Sequence, residues 1–121
     1  MKGILVASFV VLALFSGVAN AQDNIEKKKI EFLLSSVENL KGANFIRNGT
    51  EYDGKEAAEH LRMKLQKAGD KVQTADDFIR LCASKSYNSG IPYLIRFSDG
   101  KTIKSEQYFR EKLKEYNSTA K

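Results

Sequence analysis

The chain has 121 residues, with 20 basic and 15 acidic side chains and a net charge of +5 at pH 7. Its single cysteine excludes an intrachain disulfide, and its single histidine excludes the usual multi-histidine zinc site, so we expect neither a metal nor a cofactor. The positive charge favours anionic partners, such as glycans, lipid headgroups or acidic proteins.

The N-terminal segment has the pattern of a secretory signal peptide. A basic residue precedes an uninterrupted apolar run from Ile4 to Phe15, and small residues stand at Ala19 and Ala21. The run is too short to span a bilayer, which needs about 20 apolar residues. We therefore expect residues 1–21 to be a signal peptide cleaved after Ala21, and the mature protein to lie in the periplasm without a membrane span.

The remaining residues, 22–121, are enough for a single domain. Loss of Lys2 with the signal peptide leaves 19 basic and 15 acidic residues, a net charge of +4. The basic residues are scattered, with a run of three lysines only at residues 27–29. This scatter and a periplasmic location both argue against nucleic acid as a partner, and we expect a monomer.

Four segments carry apolar residues at helical spacing. Asp53 with Glu56, and Thr74 with Asp77, have the pattern of capping boxes at the start of the second and third segments. Cys82 lies on the apolar face of the third segment, so we expect its thiol to be buried. The predicted helices span residues 22–41, 54–67, 75–83 and 106–116.

Short β-type runs separate these helices. Ala43–Arg47 is apolar and ends at the turn sequence Asn48-Gly49, and Tyr93–Phe97 is a β-branched and aromatic run that follows the sole proline. A hairpin turn and a short return strand, Thr102–Lys104, come next. This order predicts a single α+β domain in which four helices pack on a small sheet of two to three strands.

Potentially functional side chains are densest between the first strand and the second helix. Arginine binds a carboxylate or phosphate through two hydrogen bonds, and tyrosine offers a stacking face with a polar tip. If Ala43–Arg47 pairs with Tyr93–Phe97, the adjoining turns meet at one edge of the sheet, within reach of the second helix, and loops at such edges collect binding groups. The predicted binding surface consists of Arg47, Asn48, Tyr52, His60, Ser89 and Tyr93.

Arg62 belongs to the same stretch but to another side of the helix. Each residue turns an ideal helix by about 100°, so His60 and Arg62 point about 200° apart. We expect Arg62 to lie outside the binding surface, in an ion pair with Glu51 or Glu59 or as a clamp on a neighbouring loop.

Two other interpretations remain open for these residues. His60 with a serine of the connector, residues 84–90, would suggest a small hydrolase, although the Gly-x-Ser-x-Gly elbow is absent and serines of this kind favour turns. Alternatively, Arg47 and Tyr93 clamp the connector by hydrogen bonds. We assign no catalytic residue and predict a non-catalytic interaction module that binds a periplasmic protein or an anionic envelope component.

Several segments resemble the YfeK-like family in sequence and in order, namely FIRNGTEYDGKEAAEHLRMK, TADDFI, ASKSYNSGIPY and a later DG. The resemblance runs from about Ile30 to Tyr116, and Tyr108-Phe109 stands where the family has tryptophan-leucine. These are small exported proteins of Gram-negative bacteria classed as a domain of unknown function. The resemblance thus implies a periplasmic protein and supplies no catalytic residues.

The signal peptide leads to a direct prediction. Intact-mass measurement of the exported protein is expected to show a chain that begins at Gln22, because the small residues at Ala19 and Ala21 suit signal peptidase. Retention of residues 1–21 in a membrane-bound product would contradict this assignment.

Overall fold

The structure is a computed structural model that describes residues 23–119. The predicted signal peptide, residues 1–21, lies outside the described residues. The described part forms four helices and four strands, with a short 3-10 turn after the second helix. In chain order these are α1 (residues 23–38), β1 (Asn44–Arg47), β2 (Thr50–Tyr52), α2 (Gly54–Ala68), α3 (Ala75–Cys82), β3 (Leu94–Arg96), β4 (Thr102–Lys104) and α4 (Ser105–Thr119).

The α+β class is as predicted, but the sheet is larger than expected. All four strands are antiparallel, in the order β2-β1-β3-β4, where the sequence predicted two to three strands. The additional strand is β2, which returns against β1 through a two-residue turn with positive φ at Asn48 and Gly49. Unlike the equally short Thr102–Lys104, this strand begins with two exposed polar residues, so no alternation of apolar and polar side chains reveals it.

The register of the sheet decides which side chains face the helices. Phe45 lies between Tyr52 on β2 and Ile95 on β3, and both Phe45 and Ile95 are buried. Side chains alternate between the two faces, so Arg47 and Tyr93, two residues further along, belong to the same face. The antiparallel register places Arg47 opposite Tyr93, which confirms the pairing on which the predicted binding surface depends.

The helices pack on this face and enclose the core. Phe78 and Phe109, from α3 and α4, are fully buried and meet edge to face with ring centroids 6.0 Å apart. Cys82 is only 1% exposed, as predicted, and burial raises the pKa of its thiol despite the nearby charge of Lys64. In the part of the chain that the structure describes, no helix is both long and apolar enough to cross a membrane.

Arg62 joins α2 to α1 and not to the partners that the sequence suggested. Its guanidinium donates two hydrogen bonds, of 3.0 and 2.8 Å, to the carboxylate of Glu31, and it also approaches Glu38 at 3.4 Å. These bonds lower the pKa of Glu31. The prediction of Glu51 or Glu59 was wrong because periodicity along α2 does not show which helix lies alongside it.

Gly54 brings the first turn of α2 into direct contact with the end of α1. A Cβ atom at this position would lie 2.3 Å from the carbonyl oxygen of Val37 and 3.1 Å from that of Leu40. Both atoms belong to the backbone and cannot move aside without shifting α1. The contact also sets the negative end of α1 against the positive end of α2, which is electrostatically favourable.

Replacement of Gly54 by alanine is therefore expected to destabilise the protein. Overpacking against fixed backbone costs about 1–3 kcal/mol, which urea unfolding would detect as a lower midpoint. Lys55→Ala is the matched control, since Lys55 is the next residue of the same turn and is exposed. Equal midpoints for the two variants would show that the helices separate easily at this point.

Candidate functional site

A small cavity opens between α2 and the end of the sheet where Arg47 faces Tyr93. Its volume is about 40 Å³, which is room for roughly three water molecules at 10–15 Å³ of probe-occupied volume for each. Apolar atoms make up nearly all of its wall. The lining residues are Phe45, Ile46, Arg47, Tyr52, Ala57, His60, Leu61, Lys64, Tyr93, Leu94 and Ser105.

Helix α2 supplies one complete face to this cavity. Ala57, His60, Leu61 and Lys64 stand at positions i, i+3, i+4 and i+7, which share one side of a helix. Ala57 and Leu61 are buried, whereas His60 and Lys64 are half-buried at the opening. The same helical phase that fills the core thus also carries two basic side chains to the cavity.

Aromatic rings hold the basic side chains in place. The Lys64 ammonium donates a hydrogen bond of 2.7 Å to the Tyr93 hydroxyl, and the His60 ring meets Tyr52 edge to face with centroids 4.5 Å apart. The Arg47 guanidinium lies 6.0 Å from the centroid of Tyr52. Lys64 also lies 4.7 Å from the Tyr93 centroid, but the hydrogen bond to the hydroxyl already imposes that distance, so we count the two as one contact.

The positive charge of the cavity is not neutralised by the protein. None of the lining residues is an aspartate or a glutamate. Within residues 23–119, four of the five arginines have a carboxylate oxygen within 4.0 Å, and Arg47 is the exception. Lys64 also forms no ion pair in that part of the chain. Two cations therefore share one small space without a counter-charge.

The structure brings together four of the six predicted binding residues. Arg47, Tyr52, His60 and Tyr93 all line the cavity. Asn48 and Ser89 do not line it, and their role in binding stays a prediction without support from this geometry.

Asn48 and Ser89 instead hold the connector against the β1–β2 turn. The amide oxygen of Asn48 accepts a hydrogen bond of 2.9 Å from the Ser89 hydroxyl, and its amide nitrogen donates one of 3.3 Å to the buried Ser86 hydroxyl. The sequence suggested a clamp made by Arg47 and Tyr93. Tyr93 does contribute its backbone N–H, at 3.0 Å from the Ser84 carbonyl oxygen, but the side-chain clamp belongs to Asn48.

Lys64 is the charged cavity residue that the sequence did not reveal. It stands four residues after His60, so a helical projection places it on the same side of α2. That spacing was available as a signal, but an isolated lysine on a helix is usually solvated. Its position is fixed by the Tyr93 hydroxyl, and Tyr93 stands immediately before β3, 29 residues further along the chain.

The connector serines do not form a catalytic arrangement with His60. The Ser84 hydroxyl donates to the Ile79 carbonyl oxygen at 2.6 Å, and the hydroxyls of Ser86 and Ser89 bond to Asn48 as described above. Among the residues that the structure describes, none of the hydrogen bonds joins His60 to a serine. No group of three histidine, cysteine or carboxylate side chains in residues 23–119 suits a metal ion either.

The clamp is testable through the backbone conformation of Asn48, whose φ is 51°. In Asn48→Ala, left-handed strain is expected to lower the free energy of unfolding by about 1–2 kcal/mol. Loss of the side-chain hydrogen bonds lowers it further. Asn48→Gly loses the same hydrogen bonds without the strain, so its urea midpoint should lie between those of the wild type and Asn48→Ala. An equal decrease of the urea midpoint in both variants would show that the left-handed conformation of Asn48 costs alanine nothing.

Comparison with known proteins places the chain in a family. The family model described as "Family of unknown function (DUF5329)" matches residues 24–117, which include every residue that lines the cavity. The uncharacterized protein YfeK of Salmonella typhimurium is 34% identical over 93 residues, or 77% of this chain and 77% of that protein. No solved structure gives a significant match. The chain therefore belongs to the DUF5329 family of unknown function and is YfeK-like, as its motifs indicated.

Proposed function

We propose that the protein is a non-catalytic interaction module that binds an anionic group in the cavity between α2 and the sheet. The observation that carries this proposal is Arg47, the one arginine of residues 23–119 without a carboxylate partner, which lines the cavity together with Lys64. A half-buried guanidinium without a counter-ion is desolvated at a cost, and an anionic ligand would offset that cost.

The arrangement suits anion binding for two physical reasons. Lys64 is already oriented by its hydrogen bond to Tyr93, so little side-chain freedom remains to be lost when a ligand binds. Arg47 can offer two parallel N–H donors to one carboxylate or phosphate. Hydrogen bonds to charged groups contribute about 1.5–3 kcal/mol net, so each of these two cations is able to add a factor of roughly ten or more in affinity.

The geometry gives no support to a hydrolase that uses His60 and a connector serine. Such a reaction needs a hydrogen bond between the base and the nucleophile, and the serine hydroxyls are bonded to Asn48 and to the backbone. His60 packs on Tyr52 at the rim, where its ring is a wall of the cavity and a recognition surface.

The partner follows from the charge of the site and the proposed location of the protein. With the signal peptide removed, the protein would be a periplasmic monomer, and the anionic group would belong to an envelope component or to another periplasmic protein. The anion-binding geometry does not depend on that location, so it is testable with purified protein and simple salts.

Binding is directly measurable because His60 is the sole histidine of the chain and lies at the cavity. Its ring-proton NMR signals are expected to shift with saturation on addition of acetate or inorganic phosphate at constant ionic strength, against a chloride reference. Arg47→Gln should weaken this binding about 10- to 100-fold, because it removes a charge-assisted pair of hydrogen bonds.

Arg96→Gln is the matched control for this experiment. Arg96 belongs to β3 of the same sheet, is already paired with Glu51, and does not line the cavity. The substitution removes the same charge as Arg47→Gln. The affinity of Arg96→Gln for the anion should nevertheless stay within about twofold of the wild type, because surface charges at a distance are screened by salt. An equal loss of affinity in both variants would mean that net charge, and not the cavity, determines anion binding.

A further inference from the structure

The cavity has two chemically different parts. Its floor is carbon, with the buried residues Ala57 and Leu61 from α2 and Phe45 from β1 among the lining residues, whereas Arg47 and Lys64 are half-buried and stand at the opening. An inorganic anion would satisfy the cations and leave the floor unused. Water is a poor occupant of that floor, because a bound water needs two to four polar partners.

The size of the floor limits what can fill it. The whole cavity, floor and opening together, has a volume of about 40 Å³, so its floor accepts a group of at most two or three heavy atoms, by comparison with the space that a water molecule occupies. One or two alkyl carbons therefore fit, and a long hydrocarbon chain or an aromatic ring does not. Each methylene group that enters such a floor should raise affinity about fourfold.

We propose, on the basis of the anion-binding function above, that the ligand of this cavity is a carboxylate with a short alkyl group beside it. The carboxylate lies against Arg47 and Lys64, and the alkyl group occupies the apolar floor. Two sources carry this chemistry, namely a free short-chain acid and the C-terminus of a peptide that ends in alanine. Both present a carboxylate and one small apolar group within a few atoms of each other.

A carboxylate fits this geometry better than a phosphate does. A carboxylate is flat and takes two parallel hydrogen bonds from one guanidinium, and Arg47 lies beside the Tyr52 ring, which restricts its orientation. A phosphate is larger, tetrahedral and without an alkyl group, so it gains nothing from the floor. The cavity is thus expected to distinguish between anions that a merely positive surface would bind alike.

A chain-length series tests this proposal on the wild-type protein through the ring-proton signals of His60. The probes are formate, acetate, propionate, butyrate and hexanoate, with inorganic phosphate, all at constant ionic strength. Affinity should rise about fourfold for each carbon up to propionate, level off at butyrate and fall at hexanoate. N-acetyl-alanine should bind at least as well as acetate and its carboxamide at least tenfold more weakly, and the order of propionate and N-acetyl-alanine identifies the source.

One variant adds an independent measurement of the floor. Leu61→Val shortens a buried side chain of the floor, so the preferred acid should become longer by about one carbon than that of the wild type. Arg47→Gln should weaken formate and propionate by the same factor, because both use the guanidinium alike.

Three results would overturn the proposal, and they differ in what they leave standing. Equal affinity for formate, phosphate and propionate would remove the alkyl preference and leave the anion-binding function intact. A continuous rise through hexanoate would show an open apolar surface instead of a closed floor. The absence of saturable binding for every anion would remove both the ligand assignment and the proposed function.

Discussion

The contact between Gly54 and the end of α1 is the constraint on which the rest of the domain depends. No side chain larger than hydrogen fits there without a shift of the backbone, since a Cβ atom would lie only 2.3 Å from the Val37 carbonyl oxygen. This contact fixes where α2 begins, and Asp53 caps the same turn by accepting a hydrogen bond of 2.9 Å from the Glu56 backbone. A helix that begins at a fixed point has a fixed rotational phase, because each residue turns it by about 100°. Ala57, His60, Leu61 and Lys64 consequently face the sheet.

The same phase sorts the basic residues of α2 into structural and unpaired groups. Arg62 points to the opposite side, where Glu31 of α1 receives its two hydrogen bonds. Lys64 points to the sheet, where it meets a neutral hydroxyl and no carboxylate. The acidic residues of α1 thus neutralise one side of α2 and leave the other side positive. The anchoring of α2 and the charge of the cavity are therefore two consequences of one helix position.

How much of this was accessible from the sequence depends on the range of each interaction. Capping residues act within one turn, and the box predicted at Thr74 and Asp77 is present with both of its hydrogen bonds. The approach of Arg47 to Tyr93 followed from strand pairing, which the β-type runs suggested. In contrast, β2 was missed because it begins with two exposed polar residues and shows no alternation, and the hydrogen bonds of Asn48 were not foreseen because a turn sequence does not reveal a distant partner. Interactions that need the position of a third element, such as Lys64 with Tyr93, cannot be derived from local patterns.

Net charge explains less about binding than composition suggested. The sequence has five more basic than acidic residues, yet most of its arginines are neutralised by carboxylates within 4.0 Å. Scattered surface lysines act weakly beyond the Debye length, about 10 Å at 0.1 M salt. A local pair such as Arg47 and Lys64, at an apolar cavity without carboxylates, is screened much less. The proposed selectivity for anions should thus depend on one unneutralised arginine and on the small apolar space beside it, and should persist at salt concentrations that abolish binding to a merely basic surface.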